Sequence, residues 1–362
     1  LKPNSLEDMI AGISLYRPGP MDFIPQYIKG KNDASSISYD CPQLEPILNS
    51  TYGCIVYQEQ VMQICRELAG FSFGQADNVR RAMSKKKHKV MEAEREHFVH
   101  GCTEPGKECA GCVKNGIPEA VANEIYDDMV SFASYAFNKS HAACYAYVAF
   151  QTAYLKCHYP SEFMAALLTS VLDNTDKVIE YSGECARLGI KVLPPDVNVS
   201  NGGFTADGSG QIRFGLNAVK NVGRNLIENV VKGRQKKPYT SLYDFCKRMH
   251  GNELNRRAVE CLIKAGAFDH LGNNRHSHVE AVEGILKSIE TDSRRNLDGQ
   301  LDLFSVMSGE AQSGASEDNY EIKQLPEYSH KELLQQEKEV SGLYLSGHPL
   351  DAYREQSARI AS

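Results

Sequence analysis

The residues Asn78-Val79-Arg80-Arg81-Ala82-Met83-Ser84-Lys85-Lys86-Lys87-His88-Lys89 hold six lysines and arginines with no acid among them. On a helix, Arg81 and Lys85 lie four apart on one face, where like charges repel. A bound anion relieves that repulsion, and paired arginines offer forked donors to phosphate oxygens. A solvated basic face is the plainer alternative, but the lack of interleaved Glu favours phosphate. Asn138-Lys139-Ser140-His141 places four polar side chains at the expected start of a helix. Ser140 or Asn138 could cap it, and the helix dipole would add to Lys139 in attracting an anion. Here the alternative is a cap with incidental neighbours. His97, His100, Cys102, Cys109 and Cys112 group five borderline or soft ligand types, and Cys109-x2-Cys112 has the spacing of half a zinc knuckle. With only one such pair, a surface loop of reduced thiols competes with a zinc site at Cys102, Cys109 and Cys112.

A fourth constellation is Gly215-Leu216-Asn217-Ala218-Val219-Lys220-Asn221-Val222-Gly223-Arg224-Asn225-Leu226-Ile227. Two short helices meeting at a hairpin with Gly223 would expose backbone N–H groups to a DNA phosphate, blind to base sequence. Arg213, Lys220, Arg224, Lys232, Arg234, Lys236 and Lys237 face one acid, Glu228, within residues 213–237. That charge favours DNA over a purely structural helical hairpin. A second such unit is expected at 252–272, ending Ile263-Lys264-Ala265-Gly266-Ala267-Phe268-Asp269. Gln300-Leu301-Asp302-Leu303-Phe304 is an apolar cluster with no periodic neighbours. It either tucks back near Val282 and Leu286 or orders on a partner, inserting Leu303 and Phe304 in an apolar pocket with Gln300 as polar anchor.

Composition limits the classes that can carry these features. The chain has 362 residues, enough for two or three domains, and its 42% hydrophobic and 24% charged content is that of a globular protein. A formal charge of −6 excludes a uniformly basic DNA coat. No apolar run reaches the ~18 residues a membrane span requires, and the given N-terminus shows no signal-peptide pattern, so the 11 cysteines are expected as free thiols or metal ligands rather than disulfides. There is no D-x-D pair, P-loop or nucleophile elbow. Metal-dependent phosphoryl chemistry must therefore take its carboxylates from elsewhere. The opening Leu1-Lys2-Pro3 reads as part of a longer protein.

The elements that must position these residues are mainly α-helical. Apolar spacing predicts helices over 5–16, 54–69, 75–100, 140–156 and 161–172, with Arg17-Pro18-Gly19-Pro20 breaking the first. A strand-like run at 190–193 and a small β hairpin at 201–214 follow, then short helices over 215–271. Residues 287–320 read as a polar linker, and a helix returns at 330–340.

Ser14-Leu15-Tyr16-Arg17-Pro18-Gly19-Pro20, Thr51-Tyr52-Gly53, Val56-Tyr57-Gln58-Glu59-Gln60-Val61-Met62, Arg80-Arg81-Ala82-Met83-Ser84-Lys85-Lys86, Phe137-Asn138-Lys139-Ser140-His141 and His158-Tyr159-Pro160-Ser161-Glu162-Phe163 resemble the C-family bacterial replicative DNA polymerases, the DNA polymerase III alpha subunits. The resemblance runs the length of the chain. It implies a multi-helix fingers domain over 1–210, a tandem helix-hairpin-helix DNA-binding module over 211–286, a linker over 287–325, and a connector over 326–362 to a truncated OB-fold, with His348-Pro349-Leu350-Asp351 just before it. It further implies that Arg80, Arg81 and Lys85 contact the triphosphate of the incoming deoxynucleoside, with Asn138, Lys139, Ser140 and His141 nearby. Lys220, Gly223, Arg224, Arg256 and Arg257 would hold template-primer DNA, and Gln300, Leu301, Asp302, Leu303 and Phe304 would bind the sliding clamp. The implied setting is the bacterial cytoplasm at the replication fork, with other replicase subunits as partners and no membrane. Magnesium would be held by palm aspartates outside the chain, leaving the isolated piece inactive. The family lends no support to zinc at Cys102–Cys112. A non-catalytic helix-hairpin-helix adaptor is the alternative from another class.

Overall fold

A computed structural model describes residues 1–18, 20–85, 87–133, 137–297 and 320–350. The chain divides into two compact units, Leu1–Ala153 and Tyr154–Ser362. The expected boundary near 210 therefore falls inside the second unit.

The first unit is helical. Helix α1 (Leu6–Leu15) is capped by the Ser5 hydroxyl, which accepts the Asp8 N–H at 3.1 Å. Helices α2 (Ile24–Asn32) and α3 (Glu45–Leu48) follow, each opened by a proline at its start. The expected helix over 54–69 begins only at Gln58: α4 is Gln58–Ala69, and the residues ahead of it are extended, with Tyr57 bridging Phe137 in parallel. Gly70, in the left-handed region at φ 72°, ends α4.

The expected single helix over 75–100 is two, α5 (Phe73–Ser84) and α6 (His88–His100). The break falls in the lysine run. Lys85 caps α5, and the Lys87 N–H returns to Ala82 O. A continuous helix would have stacked Arg81, Lys85 and Lys89 along one face. The turn instead folds α6 back on α5, so Val79, Met83 and Phe98 share a core with Ile64, Leu68 and Met129. Helix α7 (Glu119–Ala133) closes that core, and α8 (Lys139–His158) starts at Asn138. A smaller cluster joins Ile10, Leu15, Tyr27, Val56 and Tyr57 to Ala142 and Ala146.

The second unit opens with α9 (Pro160–Ser170) and α10 (Thr175–Arg187). Strands β1 (Val192–Leu193), β2 (Thr205–Ala206) and β3 (Ile212–Arg213) form a sheet ordered β1-β3-β2. The predicted hairpin is β2 antiparallel to β3, and the strand-like run joins it in parallel. Helices α11 (Arg224–Lys236), α12 (Leu242–Met249), α13 (Arg256–Lys264) and α14 (Arg275–Leu297) share one core with Met164, Leu168 and Val178. Helix α14 runs into the expected linker, since Ile285 and Ile289 are buried and no breaker precedes Asp298-Gly299. The described residues after 319 pack on the same unit. Tyr320 stacks on Tyr243 at 6.3 Å, and α15 (His330–Ser341) with Leu345 completes the same core.

Asp8 is 1% exposed and accepts from Lys31 Nζ at 2.7 Å, Tyr27 Oη at 3.1 Å and Asn4 N at 3.1 Å. Burial pushes its carboxyl up, but the bonds from Lys31, Asn4, Tyr27 and Ser5 outweigh burial and hold it at about 2. A depressed folded pKa contributes stability that is present above the ordinary value of 3.8 and lost as pH falls through about 2. Comparing wild type with Asp8→Asn by urea unfolding, the stability gap is expected to narrow by roughly 2 kcal/mol between pH 5 and pH 2. A gap independent of pH would refute this.

Candidate functional site

Arg80 and Arg81 leave α5 at successive positions, about 100° apart around the axis. The basic run contains no acid, but Asp77 stands just ahead of it at helical spacing. Its Oδ1 accepts from Arg80 Nε at 2.9 Å and Nη2 at 2.7 Å, and its Oδ2 from Arg81 Nε at 2.7 Å. The expected unpaired face is thus paired where it begins. The hydrogen bond from Arg80 is the main reason the Asp77 carboxyl lies below its ordinary range. Arg80 Nη1 donates onward to Gln58 Oε1 on α4 at 3.0 Å. These bonds hold the guanidinium from two sides and, among the described residues, leave two of its five N–H donors open. The Arg80 side chain is 26% exposed and that of Arg81 64%. Lys85, at the end of α5, is exposed.

The N-terminus of α8 attracts an anion, as expected, but the anion is the protein's own Glu59. The Lys139 N–H reaches both carboxylate oxygens, at 3.1 and 3.0 Å, and Asn138 Nδ2 donates to Oε1 at 3.0 Å. Asn138 is the cap, its Oδ1 accepting the His141 N–H at 2.9 Å. Lys139 Nζ pairs with Glu7 at 3.0 Å and lies over the Tyr57 ring. The exposed His141 ring stands between Phe137, at 5.5 Å, and Tyr145, at 4.9 Å, while Ser140 is exposed. A groove lined by Gln58, Glu59, Met62, Gln63, Arg66, Glu67, Phe73, Asp77, Arg80 and Asn138 brings the two constellations together. Arg81, Lys85, Lys139, Ser140 and His141 are not among its lining residues.

The cysteines do not converge. Cys102 and Cys109 pair as an antiparallel bridge, and Cys109 Sγ donates to His97 O at 3.5 Å. Cys112 is wholly buried, which pushes its thiol up to about 12. A Cβ at Gly111 would collide with the Gly101 backbone, so close packing of main chain accounts for this loop. His97 faces Glu94, and His100 faces Glu96 and Glu119. Among the described residues no group of three or more His, Cys, Asp or Glu could hold a metal ion.

In the second unit the first hairpin is leaner than expected. A single 3-10 turn, Leu216–Ala218, precedes it, and Asn221 takes the left-handed conformation at φ 62°. Gly223 then caps α11, and Arg224 starts it. Arg224 grips Asp173 with Nη2 at 3.0 and 2.9 Å, and Lys220 Nζ donates to Glu339 O at 2.8 Å. Arg213 and Arg234 are structural, donating to the Pro194 carbonyl and to the Val197 and Ser200 carbonyls respectively. Helices α12 and α13 are joined by a turn, and α13, within the expected 252–272, packs on α14. Glu253 in their turn accepts from Asn225 Nδ2 at 3.0 Å, bringing that turn to the start of α11. Arg256 pairs with Glu260 and Glu283, both at 2.6 Å, while Arg257 is exposed without an ion pair among the described residues. Gln300, Leu301, Asp302, Leu303 and Phe304 lie outside the described residues.

Gln58, Glu59 and Asp77 were absent from the sequence-based candidates. Asp77 was legible as the acid three and four residues before the arginines. No local signal joins Glu59 to Asn138 across the intervening chain.

The family described as bacterial DNA polymerase III alpha subunit finger domain matches residues 1–106, and the helix-hairpin-helix motif family matches 189–278. DNA polymerase III subunit alpha of Xylella fastidiosa (strain Temecula1) is 45% identical over 98% of the chain, covering 29% of that relative. The subunits of Bacillus subtilis (strain 168) and Escherichia coli (strain K12) are 42% and 41% identical over 98% and 99% of the chain, each covered to 30%. The chain thus spans about three tenths of the length of these curated relatives.

Proposed function

The chain belongs to the family of bacterial DNA polymerase III alpha subunits, and on that premise we propose that it is the nucleotide-receiving and DNA-holding part of a replicative DNA-directed DNA polymerase. The observation that carries this reading is the α4–α5–α8 groove, where Arg80 and Asn138 meet. Arg80 is fixed by Asp77 and Gln58 with donors to spare, the arrangement suited to a triphosphate oxygen. Arg81 and Lys85 add positive charge on the same helix. Asn138, Lys139, Ser140 and His141 stand near the incoming nucleotide or the templating strand.

In the full-length enzyme the primer 3′-oxygen attacks the α-phosphate of the nucleotide. The magnesium ions this chemistry uses would be held by palm carboxylates elsewhere in the subunit. This chain positions the triphosphate and neutralises its charge. The helix-hairpin-helix region, with Lys220, Gly223, Arg224, Arg256 and Arg257, holds template-primer DNA by its backbone. The pentapeptide 300–304 docks the sliding clamp, and the remaining replicase subunits assemble around it. Low affinity at the pentapeptide suffices, because DNA held by the same enzyme raises the clamp's effective concentration. No helix among the described residues is long and apolar enough to cross a membrane, and the proposed setting is the bacterial cytoplasm at the replication fork.

Three outcomes are expected of the full-length subunit. Arg80→Ala raises the KM for deoxynucleotide about tenfold, the worth of one charge-assisted contact, with a smaller change in kcat. Unchanged nucleotide kinetics would count decisively against the site. Arg224→Ala weakens duplex binding equally for all sequences and lowers the slope of log affinity against log salt by about one; a sequence-dependent loss would contradict a phosphate contact. Leu303→Ala combined with Phe304→Ala abolishes clamp binding and processive synthesis while sparing single-nucleotide incorporation, and equal clamp affinity for mutant and wild type would refute it.

A further inference from the structure

Two adjacent side chains in the first turn of α4 reach in different directions to the two arms of the groove. Gln58 Oε1 accepts from Arg80 Nη1 at 3.0 Å, and its backbone N–H donates to Phe137 O at 3.0 Å. Glu59 accepts the Asn138 side chain and the Lys139 N–H. We propose that Gln58 and Glu59 are positioning residues of the nucleotide groove: they set Arg80 on α5 and Asn138 on α8 at a fixed separation, so that one ligand can engage both.

A carboxylate over a helix N-terminus is a common stabilising device, and alone it would say nothing about a ligand. The neighbouring contact changes its meaning. Arg80 has Asp77 beside it on its own helix, and that pair by itself would let the guanidinium travel with α5. The Gln58 bond ties it to α4 instead. Since Gln58 and Glu59 are consecutive, any displacement of α4's first turn moves both arms together. The arrangement also divides the labour. Glu59 engages the Lys139 N–H and Asn138 the His141 N–H at the start of α8, so the anion-holding donors of the groove are the guanidiniums of Arg80 and Arg66, with Asn138 as polar counterpart. This inference rests on the nucleotide reading of the groove and specifies how that site is built.

The test is single-nucleotide addition by the full-length subunit on a primed template, with KM and kcat separated. Glu59→Ala is expected to raise the nucleotide KM about tenfold with kcat within about twofold, because ground-state positioning is lost while the chemistry remains elsewhere. Glu59→Gln keeps an oxygen at the position that accepts both Asn138 and Lys139, and is expected within about threefold of wild type. Gln58→Ala, which removes the acceptor of Arg80 Nη1 and keeps the backbone bond to Phe137, raises KM about fivefold, and adds nothing further in an Arg80→Ala background. Unchanged KM in both alanine variants, a fall in kcat alone, Glu59→Gln as impaired as Glu59→Ala, or full additivity of Gln58→Ala with Arg80→Ala would each overturn the inference. Arg80→Ala separates it from the reading beneath. If that variant leaves KM unchanged, the nucleotide site itself fails; if it raises KM while the Gln58 and Glu59 variants do not, only the positioning role falls.

Discussion

The side-chain amide of Gln60 organises the first unit. It is 5% exposed, and every one of its hydrogen-bonding positions is used. Its Oε1 accepts from Val56 N at 2.8 Å and Tyr57 N at 3.0 Å; its Nε2 donates to Ile47 O at 3.2 Å and Thr51 Oγ1 at 2.8 Å. A buried amide satisfied on all sides has one orientation, because any other strands several polar groups at once. That orientation holds residues 54–57 extended against the start of α4. The extended segment in turn bridges Tyr57 to Phe137, immediately ahead of α8. Gln58 and Glu59 therefore emerge from a turn whose direction is set by the next residue, and the groove inherits its geometry from Gln60.

The second unit has a comparable centre in Arg275, whose side chain is 6% exposed. It pairs with Asp269 at 2.7 Å and with the fully buried Glu337 at 3.0 Å, and it donates to Lys264 O at 3.1 Å. Glu337 also accepts the Leu345 and Ser346 N–H groups. A buried ion pair adds little net stability over apolar packing, yet losing one partner is costly. Its effect here is to specify which segments meet: the end of α13, the start of α14, and α15.

The legible part of the fold is the part written at helical spacing. Ile64, Leu68 and Met83 announce α4 and α5, Pro160 announces the start of α9, and Arg80-Arg81 announces a basic face. The sequence reading failed where local pattern was overruled by a distant partner. The window 75–100 keeps helical periodicity throughout, so only the packing of α6 on α5 reveals the turn at 85–87. Residues 54–57 carry apolar side chains compatible with a helix, but Gln60 and Phe137 claim their backbone. The polar composition after 287 concealed the continuation of α14, because its buried residues, Ile285 and Ile289, are few and widely spaced. Glu59 and Asn138 illustrate the limit most plainly, since each is unremarkable alone and their pairing exists only in three dimensions.

The acids around the groove bear on how such a site can work. Glu59, Glu67 and Asp77 line it together with Arg66 and Arg80, so its two guanidiniums meet three carboxylates before any ligand arrives. A site built this way does not gain the full Coulomb energy of an incoming polyanion. It gains the difference between the new contacts and those the arginine already has, less the cost of bringing negative charge near existing carboxylates. Self-pairing also keeps Arg80 in one rotamer, which spares the entropy a free arginine loses on binding. The two effects pull in opposite directions on affinity and in the same direction on selectivity. A general polyanion meets repulsion from the carboxylates, whereas a ligand whose charge reaches only the open edge of the guanidinium avoids it. On the proposed reading, the groove selects a triphosphate by the placement of its charge rather than by the amount, the more useful property in an enzyme that must also hold DNA.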